Sequence, residues 1–532
     1  MEPQQKRIKM ATQVGYSTSV SLTEIGDREM PLEASPLRVH PMTRKNETIT
    51  LLPAESLLRS LLLDSREHMA QSKIATASNL DIWFTGGWVR DRLLDIPCSD
   101  IDIAVSTMTG QAFGDALADF FQQNEQRYQQ RARELGVQNA TMSGLHTTKQ
   151  NLRKSKQLET TIGHIFGLDV DIVNLRKEVY DQDSRTPVME FGTAEQDAFR
   201  RDATVNSLFF NLDSQKVVDL TGKGLHDMAA GIIRTPLEAR QTFMDDPLRV
   251  LRLIRIGSKL GYTIDDKTSK CMRDQDIHQA LTAKVSRERV GIELFKIMKQ
   301  PNPQLAFHLI YQEPHQQWPA TWPRAYHLLA ALLNDSCSRL GKLVKSDDIA
   351  ESLWVMAAYA PIAGLRHDML QHAVETAAEA IKATAKTSKL LDQALRNIDS
   401  IRAMVTRISN QLEPPPARST VGMAIRAWGA AWKSFSSMDD AASTKLLQQY
   451  NGFLDFVVQR GLEDAYGVRP LLDGNVIMEL FGVSKGGGFV KTAMDELVAW
   501  QFDNEGLGVD EAKEWLRQQE PKLGIPPRVV SF

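Results

Sequence analysis

The sequence predicts an α+β protein, in which a small mixed β-sheet head is followed by an all-helical neck, body and tail. Residues 46–220 combine helical patterns with short segments rich in Val, Ile and Phe. Strands that alternate with helices are typical of a domain built on a sheet. After residue 220 the apolar residues recur at helical spacing, most clearly over 247–260 and 286–298. The predicted strands lie at 82–85, 101–105, 160–166, 170–174 and 207–211.

Length and composition limit the functional classes. The 532 residues correspond to about three or four structural units. The 63 basic and 66 acidic residues give a formal net charge of −3, so any nucleic-acid surface must be a local patch. Three cysteines exclude a disulfide framework and a cysteine-rich zinc site. No apolar run reaches the roughly 18 residues of a membrane helix, so we expect no membrane partner.

Changes in local composition divide the chain into five predicted parts. The first segment is polar and aperiodic, and the helical half is interrupted by three consecutive prolines from Pro414 and by Gly461. The predicted parts are an extension at 1–45, a head at 46–220, a neck at 221–300, a body at 301–460 and a tail at 461–532.

The extension at 1–45 carries mixed signals about targeting. Three of its first nine residues are basic, and Met10 offers a second start. Transit peptides are poor in acids, whereas this segment contains Glu24, Asp27 and Glu29. We therefore expect a disordered extension, with a targeting role for part of it as the alternative.

A basic insertion separates two of the predicted strands. Residues 127–156 contain seven Lys or Arg side chains against the single acid Glu134, and they are rich in Gln. A solvated loop is one interpretation. The other is a mobile basic arm near a polyanion, since long loops in enzymes often carry function.

The strongest chemical signal is TGGWVRD at residues 85–91, where a strand runs into a short helix. Gly86 and Gly87 allow the backbone to approach a ligand closely and to point N–H groups at it. The helix start adds a partial positive charge, and Arg90 in the first turn adds a fixed one. This corner is predicted to hold a phosphate.

Two carboxylates follow the corner. Asp100 and Asp102 lie two residues apart in a β-type segment, so their side chains face the same side. Like charges avoid such a position unless a cation lies between them, and carboxylate oxygens suit Mg²⁺. Two such ions can activate an attacking hydroxyl and neutralise a leaving pyrophosphate. A third acid is expected from a neighbouring strand, where Asp171 is the candidate and Asp169 the competitor.

The segment DDPLRVLR at residues 245–252 is a candidate for base recognition. Pro247 suits the first position of a helix, and Asp246 suits its N-cap. Asp246 and Arg249 are three residues apart and so are neighbours on one face. An Asp acceptor beside an Arg donor can read the Watson–Crick edge of a base. An ordinary N-cap with a salt bridge is the alternative.

Together these motifs resemble the polymerase-β-like nucleotidyltransferase superfamily in its class II form, which comprises tRNA nucleotidyltransferases and bacterial poly(A) polymerases. The similarity covers about residues 82–298. Residues 170–176 (VDIVNLR) and 242–255 (TFMDDPLRVLRLIR) resemble eukaryotic CCA-adding enzymes of the fungal type. The resemblance implies template-independent addition and repair of the 3′-terminal CCA of tRNA, using CTP and ATP with release of pyrophosphate. It implies Mg²⁺ as cofactor, held by Asp100 and Asp102.

The same resemblance extends the predicted nucleotide-binding set. Residues 200–206 (RRDATVN) are similar to a family segment that contacts the ribose and phosphates of the incoming nucleotide. An internal ion pair of Arg201 with Asp202 is the alternative. Residues 245–252 are similar to the family segment that selects CTP and ATP, with Asp245 in place of the usual Glu. The predicted nucleotide-binding residues are Gly86, Gly87, Arg90, Arg201, Asp202, Asn206, Asp246, Arg249 and Arg252.

The resemblance also implies roles for the remaining segments. The neck would select the nucleotide, the tail would bind tRNA, and the insertion would be a mobile loop linked to the final A addition. Glu288 and Arg289 are interpreted as supports rather than catalysts. Residues 483–489 either present Lys485 and backbone N–H groups to a phosphate or form a glycine turn. Four tryptophans are expected in the core rather than stacked on bases, namely Trp428, Trp432, Trp500 and Trp515.

Three rival functions remain open at this stage. They are a poly(A) polymerase of the same class, a CC-only or A-only tRNA nucleotidyltransferase, and a non-catalytic tRNA-binding protein. The expected partners are the acceptor end and elbow of tRNA, CTP and ATP, and we expect a monomer. The expected compartments are the cytoplasm and nucleus, with the mitochondrion reached through an alternative start at Met1 rather than Met10.

Overall fold

A computed structural model describes most of the chain after residue 47. The described residues are 39–40, 48–72, 79–148, 160–179, 188–311, 326, 329–330, 332–333, 339–346, 350–359, 367–410, 414–430, 432 and 444–525. The predicted extension at 1–45 therefore lies outside the described residues, except for 39 and 40.

A seven-stranded mixed sheet forms the head, in the order β3-β4-β5-β2-β1-β8-β9. Its strands are β1 (Ile82–Thr85), β2 (Asp100–Val105), β3 (Met142–Thr148), β4 (Thr160–Ile165), β5 (Leu168–Asn174), β8 (Leu208–Asn211) and β9 (Lys216–Asp219). β2 and β5 are parallel, and the other neighbours are antiparallel. Two small sheets pair β6 (Arg176–Val179) with β7 (Val188–Phe191) and β10 (Ile232–Ile233) with β11 (Thr263–Ile264).

The two faces of the sheet differ in chemistry. Ile101 and Ile103 of β2 are fully buried on one face, where they share a core with Leu58 of helix α1 (Pro53–Gln71) and Phe113 of α3 (Gly110–Glu134). Because side chains alternate along a strand, Asp100 and Asp102 lie on the opposite face. Burial of the apolar face thus fixes the direction of the carboxylates.

The predicted α+β class and all five predicted strands are confirmed within one or two residues at each end. β3 was not expected, because its sequence MSGLHTT shows no apolar alternation. Its strand conformation comes from antiparallel pairing with β4. Strand formation here depends on a tertiary neighbour rather than on local pattern.

The basic insertion differs from the expected mobile arm in its first part. Residues 127–134 are the last turns of α3, and Tyr128 is fully buried. Arg127 and Arg131 both pair with Asp64 of α1, at 3.0 and 3.1 Å. The apolar face that holds this helix to the head was not recognised in the Gln-rich pattern. The remaining basic residues, from 149 to 156, lie outside the described residues.

Helices follow the sheet to the end of the described chain, except that β10 and β11 form a short parallel pair in the neck, which was expected to be all-helical. Those of the head are α1, α2 (Gly87–Leu93), α3 and α4 (Ala194–Phe199). The neck, as predicted from the sequence, contains α5 (Gly224–Ala230), α6 (Ala239–Asp245), α7 (Arg249–Leu260), α8 (Asp266–Met272), α9 (Gln275–Lys284) and α10 (Arg287–Met298). The later helices are α11 (Pro303–Tyr311), α12 (Arg339–Ser346), α13 (Ala350–Tyr359), α14 (His367–Ala380), α15 (Ala385–Ser409), α16 (Arg418–Trp428), α17 (Thr444–Gln459), α18 (Gly474–Phe481), α19 (Gly488–Asp503) and α20 (Val509–Gln518).

Three main apolar cores hold these elements. The head and the neck share one continuous core, in which Ile254 of α7 and Ile297 of α10 join residues of the sheet. A second core runs through the body and includes Trp428 and Trp432, as expected for these two tryptophans. A third core lies in the tail, where Trp500 and Trp515 stack on each other at its edge. No helix of the described residues is long and apolar enough to cross a membrane.

Candidate active site

Four carboxylates share the open face of the sheet. In the parallel pairing of β2 with β5, Asp102 lies directly opposite Asp171, and Asp100 lies opposite Asp169. Because cross-strand partners and alternate residues point to the same face, all four side chains project together. Asp100 is exposed and Asp102 is partly buried. The sequence-predicted pair is thus brought together with both candidates for the third acid.

The pKa values of these carboxyl groups reflect burial and mutual repulsion. Burial raises the pKa of Asp102 to about 6, and the charges of Asp100 and Asp171 add to this effect while Arg201 opposes it. Burial, together with the neighbouring carboxylates, also raises the pKa of Asp100 and of Asp171. A set of acids that repel one another is stabilised by a bound cation.

The register favours Asp171 over Asp169 as the third carboxylate. Asp171 is the direct neighbour of Asp102. Asp169 instead lies 3.0 Å from Nδ1 of His164 on β4, and its side chain is 69% exposed. The assignment of Asp171 to the reaction remains a proposal.

The glycine corner is packed against Asp102. Gly86 has φ +72° and ψ −137°, a conformation that residues with a Cβ rarely adopt. A Cβ at this position would lie 2.7 Å from Oδ2 of Asp102 and 3.1 Å from Nη1 of Arg201. The N–H of Gly86 lies 3.4 Å from the carbonyl of Leu208, so the sheet takes this hydrogen rather than a ligand. Gly87 begins α2.

Arg201 is fixed beside Asp102 by several contacts. Its guanidinium donates to Oδ2 of Asp197 at 2.8 and 3.0 Å and to the carbonyl of Asn206 at 3.1 Å. It also lies over the ring of Phe209. The alternative of an Arg201–Asp202 ion pair is therefore wrong, because Asp197 is the partner. Burial alone would raise the pKa of Asp197, but Arg201 and Arg200 hold it below its usual value.

Asp202 is a buried junction between the head and α7. Its Oδ2 accepts from Nε and Nη2 of Arg252 at 2.8 and 2.7 Å. Its Oδ1 accepts from the N–H of Ala203 at 2.9 Å and from Nδ2 of Asn206 at 3.0 Å. Burial opposes its ionisation, but Arg252 outweighs that effect and holds the pKa of Asp202 well below its usual range. Asp202 therefore carries a permanent charge that anchors α7.

The sequence position of Arg90 suggested an exposed side chain that binds phosphate, but the structure places it differently. Its side chain is buried, and it donates to Oδ1 of Asp91 at 2.8 Å and to Oδ1 of Asn206. Asp91 in turn accepts from Nζ of Lys259 at 2.8 Å. Asp91 and Asn206 therefore hold the guanidinium of Arg90. The contact with Asn206 could not be predicted, because the two residues are far apart in the sequence.

A closed polar circuit follows from these contacts, and we name it the head–neck ring. It starts and ends on α7, whose Arg252 and Lys259 are two turns apart on one side of the helix. The head–neck ring consists of Arg252, Asp202, Asn206, Arg90, Asp91 and Lys259. The sequence predicted no role for Asp91 or Lys259, because nothing in it indicates that two residues 168 positions apart are in contact.

The segment predicted to read the base starts its helix later than expected. Asp246 is the C-cap of α6, and α7 begins at Arg249 with Leu248 as its N-cap. Oδ1 of Asp246 still accepts from the N–H of Leu248 at 3.2 Å. Pro247 and Leu248 form a turn between the two helices, so the expected N-cap at Asp246 is wrong by two residues.

Asp246 is held by the residue that was interpreted as a support. Nη2 of Arg289 lies 3.1 Å from Oδ2 of Asp246, and Ser286 caps the helix that carries Arg289. Arg249 is buried in the first turn of α7. The two predicted base-reading residues therefore flank the same turn. Asp246 pairs with Arg289, and Arg249 is buried.

The carboxylate set suits a hard divalent cation. Asp100, Asp102 and Asp171 offer oxygen ligands on one open face, and burial together with the neighbouring carboxylates raises the pKa of each. Within the described residues, no three His, Cys, Asp or Glu side chains stand close enough together to be recognised as a preformed metal cluster. The donor chemistry fits Mg²⁺.

Comparisons with known proteins find a match to the head and relatives over most of the chain. Residues 82–234 match the model of the poly A polymerase head domain. The chain is 34% identical to the nucleotidyltransferase lcsQ of Purpureocillium lilacinum, over 90% of this chain and 93% of that protein. It is 32% identical to the mitochondrial CCA tRNA nucleotidyltransferase of Saccharomyces cerevisiae, over 86% and 91%. It is 30% identical to the tRNA nucleotidyltransferase cca2 of Schizosaccharomyces pombe, over 86% and 96%.

Solved structures share the fold at lower identity. A CCA-adding enzyme in its apo form II superposes with a TM-score of 0.59 at 16% identity, covering 87% of this chain and 96% of that one. The Thermotoga maritima CCA-adding enzyme, solved in complex with tRNA, gives a TM-score of 0.56 at 16% identity, covering 87% and 96%. These similarities establish the arrangement of head and helices. With its full-length fungal relatives at 30–34% identity, the chain belongs to the tRNA nucleotidyltransferase family.

Proposed function

We propose that this protein adds and repairs the 3′-terminal CCA of tRNA, using CTP and ATP without a nucleic-acid template and releasing pyrophosphate. The observation that carries the proposal is the placement of Asp102 beside Asp171 on an open sheet face, next to the strained corner at Gly86. Relatives over most of the chain are named CCA tRNA nucleotidyltransferases, which supports the choice of substrate.

The triphosphate would lie on the β1 side of the carboxylates. The absence of a side chain at Gly86 lets the corner pack directly against Asp102, and Arg201 places a fixed positive charge beside Asp102. Because Asp197 and the carbonyl of Asn206 already hold Arg201, no entropy is lost in ordering it when the nucleotide binds. Arg201 is therefore the proposed phosphate contact.

The base would be read at the turn between α6 and α7. Asp246 offers acceptors and Arg249 offers donors, which match a Watson–Crick edge. Arg289 fixes Asp246 from α10, and the head–neck ring fixes α7 relative to the carboxylates. We assign Arg90, Asp202, Asn206 and Arg252 to this support of the nucleotide site.

Asp100 and Asp102 would hold Mg²⁺, which would supply positive charge against the carboxylates and the phosphates. The 3′-hydroxyl of tRNA attacks the α-phosphorus of the bound nucleotide, and the bond to the leaving pyrophosphate breaks in line. The hydroxyl proton would pass to Asp171, which lies directly opposite Asp102 on the same face of the sheet. Arg201 neutralises charge on the departing phosphates.

The decisive experiment incubates the purified protein with a tRNA transcript that lacks CCA and with all four nucleoside triphosphates. Three added nucleotides in the order C, C, A, followed by arrest, are expected. A long A tail would identify a poly(A) polymerase instead. Arrest after two C residues, or no addition to this transcript together with addition of A to a transcript ending in CC, would identify a partial enzyme.

We infer that some of the protein acts in mitochondria, since two fungal relatives carry that compartment in their names. Cytoplasm and nucleus would be served by the product that starts at Met10. Fluorescent fusions of the full sequence and of a Met10→Leu variant test this. Met10→Leu is expected to deplete the cytoplasmic and nuclear signal, and an unchanged distribution would contradict the two-start proposal.

A further inference from the structure

The carboxylates divide the open face of the sheet into two flanks of different chemistry. Toward β1 and β8 lie the glycine corner and the cations Arg201 and Arg252. Toward β4 the neighbours of the carboxylates are Ile162, opposite Asp171, and His164, opposite Asp169. The first flank suits a polyanionic triphosphate, and the second combines an apolar side chain with an imidazole.

The β4 flank is open to solvent. Ile162 is 40% exposed although β4 is paired with a strand on each side. The side chain of His164 is also 40% exposed. Ile162 gains no free energy of burial from its position beside the carboxylates, because both remain in contact with water. The arrangement becomes favourable when a partly apolar ligand covers Ile162.

The reaction geometry identifies that ligand. In an in-line displacement, the attacking hydroxyl and the leaving pyrophosphate lie on opposite sides of the phosphorus. With the triphosphate on the cationic flank, the hydroxyl must approach from the β5–β4 side. We propose, building on the function proposed above, that Ile162 and His164 form the subsite for the 3′-terminal nucleotide of the RNA acceptor.

The two residues have distinct tasks in this subsite. Ile162 packs against the carbon face of the terminal sugar or base. Nδ1 of His164 lies 3.0 Å from Oδ1 of Asp169, and a carboxylate only accepts, so Nδ1 carries the proton and donates it. In the tautomer with its proton on Nδ1, Nε2 is an acceptor, and the 2′-hydroxyl of the terminal ribose is the matching donor. Asp169 acts by orienting His164.

Kinetics with altered acceptors test these tasks separately. In the full-length protein, Ile162→Ala is expected to raise the KM for tRNA lacking CCA about fivefold with little change in the KM for CTP. Leu135→Ala is the matched control, because Leu135 is 44% exposed at the C-cap of α3, the helix that covers the other face of the sheet. A raised KM for CTP in Ile162→Ala, or no change in the KM for tRNA, would overturn the assignment.

The hydrogen bond to the 2′-hydroxyl is tested with an acceptor whose last nucleotide is 2′-deoxy but keeps its 3′-hydroxyl. We expect the wild-type protein to prefer the ribose acceptor about tenfold in kcat/KM, and His164→Ala to lose that preference. An equal preference in both proteins would refute the role of His164, even if the variant were less active.

A crosslinking experiment separates this inference from the proposed function. A tRNA transcript with 5-iodocytidine as its last nucleotide is irradiated on the full-length protein without nucleotides, and the crosslinked peptide is identified by mass spectrometry. Attachment within residues 160–171 is expected, whereas attachment only to α7 or α10 would overturn the inference. If the wild-type protein fails to add CCA but crosslinks at β4, the proposed function fails and the acceptor subsite stands.

Discussion

Replacing Gly86 by Ala tests the contact between the glycine corner and Asp102. The added Cβ would lie 2.7 Å from Oδ2 of Asp102, and an ordinary contact begins at 3.4 Å, so one of the two groups must move by about 0.7 Å. The positive φ of +72° adds strain of about 1–3 kcal/mol in the folded protein. Because a misplacement of this size near reacting atoms costs up to about a hundredfold in rate, we expect kcat for CTP addition to fall by that order.

Gly136→Ala provides the matched control. Gly136 has a similar φ of +71°, but nothing lies within 4 Å of its prospective Cβ. It should therefore lose only the stability that the positive φ costs, about 1 kcal/mol in urea unfolding, with kcat unchanged. Incorporation of radiolabelled CTP into tRNA lacking CCA measures the rate for both variants. If Gly86→Ala retains full kcat, or if Gly136→Ala loses as much, the proposed link between the corner and Asp102 is refuted.

Three further predictions concern charge and base selection. The folded-state pKa of Asp102 is raised to about 6 from 3.8, so ionisation of this carboxyl group lowers the stability of the folded protein as pH rises from 4 to 7. Asp102→Asn should therefore stabilise the metal-free protein by about 2 kcal/mol at pH 7 but not at pH 4. Urea unfolding at both pH values measures this difference. Lys259→Met opens the head–neck ring and should lower the preference for CTP over UTP about tenfold. Lys259→Arg and the exposed control Lys270→Met should keep that preference. An unchanged preference in Lys259→Met would contradict the positioning role. Arg249→Ala should reduce kcat/KM for CTP and ATP at least tenfold while inhibition by pyrophosphate stays the same; an equal loss for all four nucleotides would argue against base reading.

The local chemistry of the head could be predicted from the sequence because short-range rules govern it. Asp100 and Asp102 had to share a face once they lay two apart on a strand, and the structure has them so. The choice between Asp169 and Asp171 could not be made, since it depends on the parallel register of β2 with β5. That register is set by distant parts of the chain.

Long-range partners account for most of the differences. Arg90 looked like a free cation at a helix start, but Asn206 and Asp91 bury and occupy it. Arg127 looked like part of a mobile arm, but Asp64 of α1 fixes it on the head. In both cases the sequence shows a basic side chain but not its partner. A polar contact between remote segments leaves no periodic pattern in the sequence.

The most direct test of the central claim measures nucleotide incorporation and tRNA binding in the same variant. Asp100→Ala and Asp102→Ala each remove a carboxylate that we place at the reacting phosphate. Incorporation of CTP and ATP should fall to background for both, while the dissociation constant for tRNA stays within about twofold of the wild-type value, because we propose that most tRNA contacts lie in the helical tail. Turnover retained in either variant would contradict catalysis by these two aspartates.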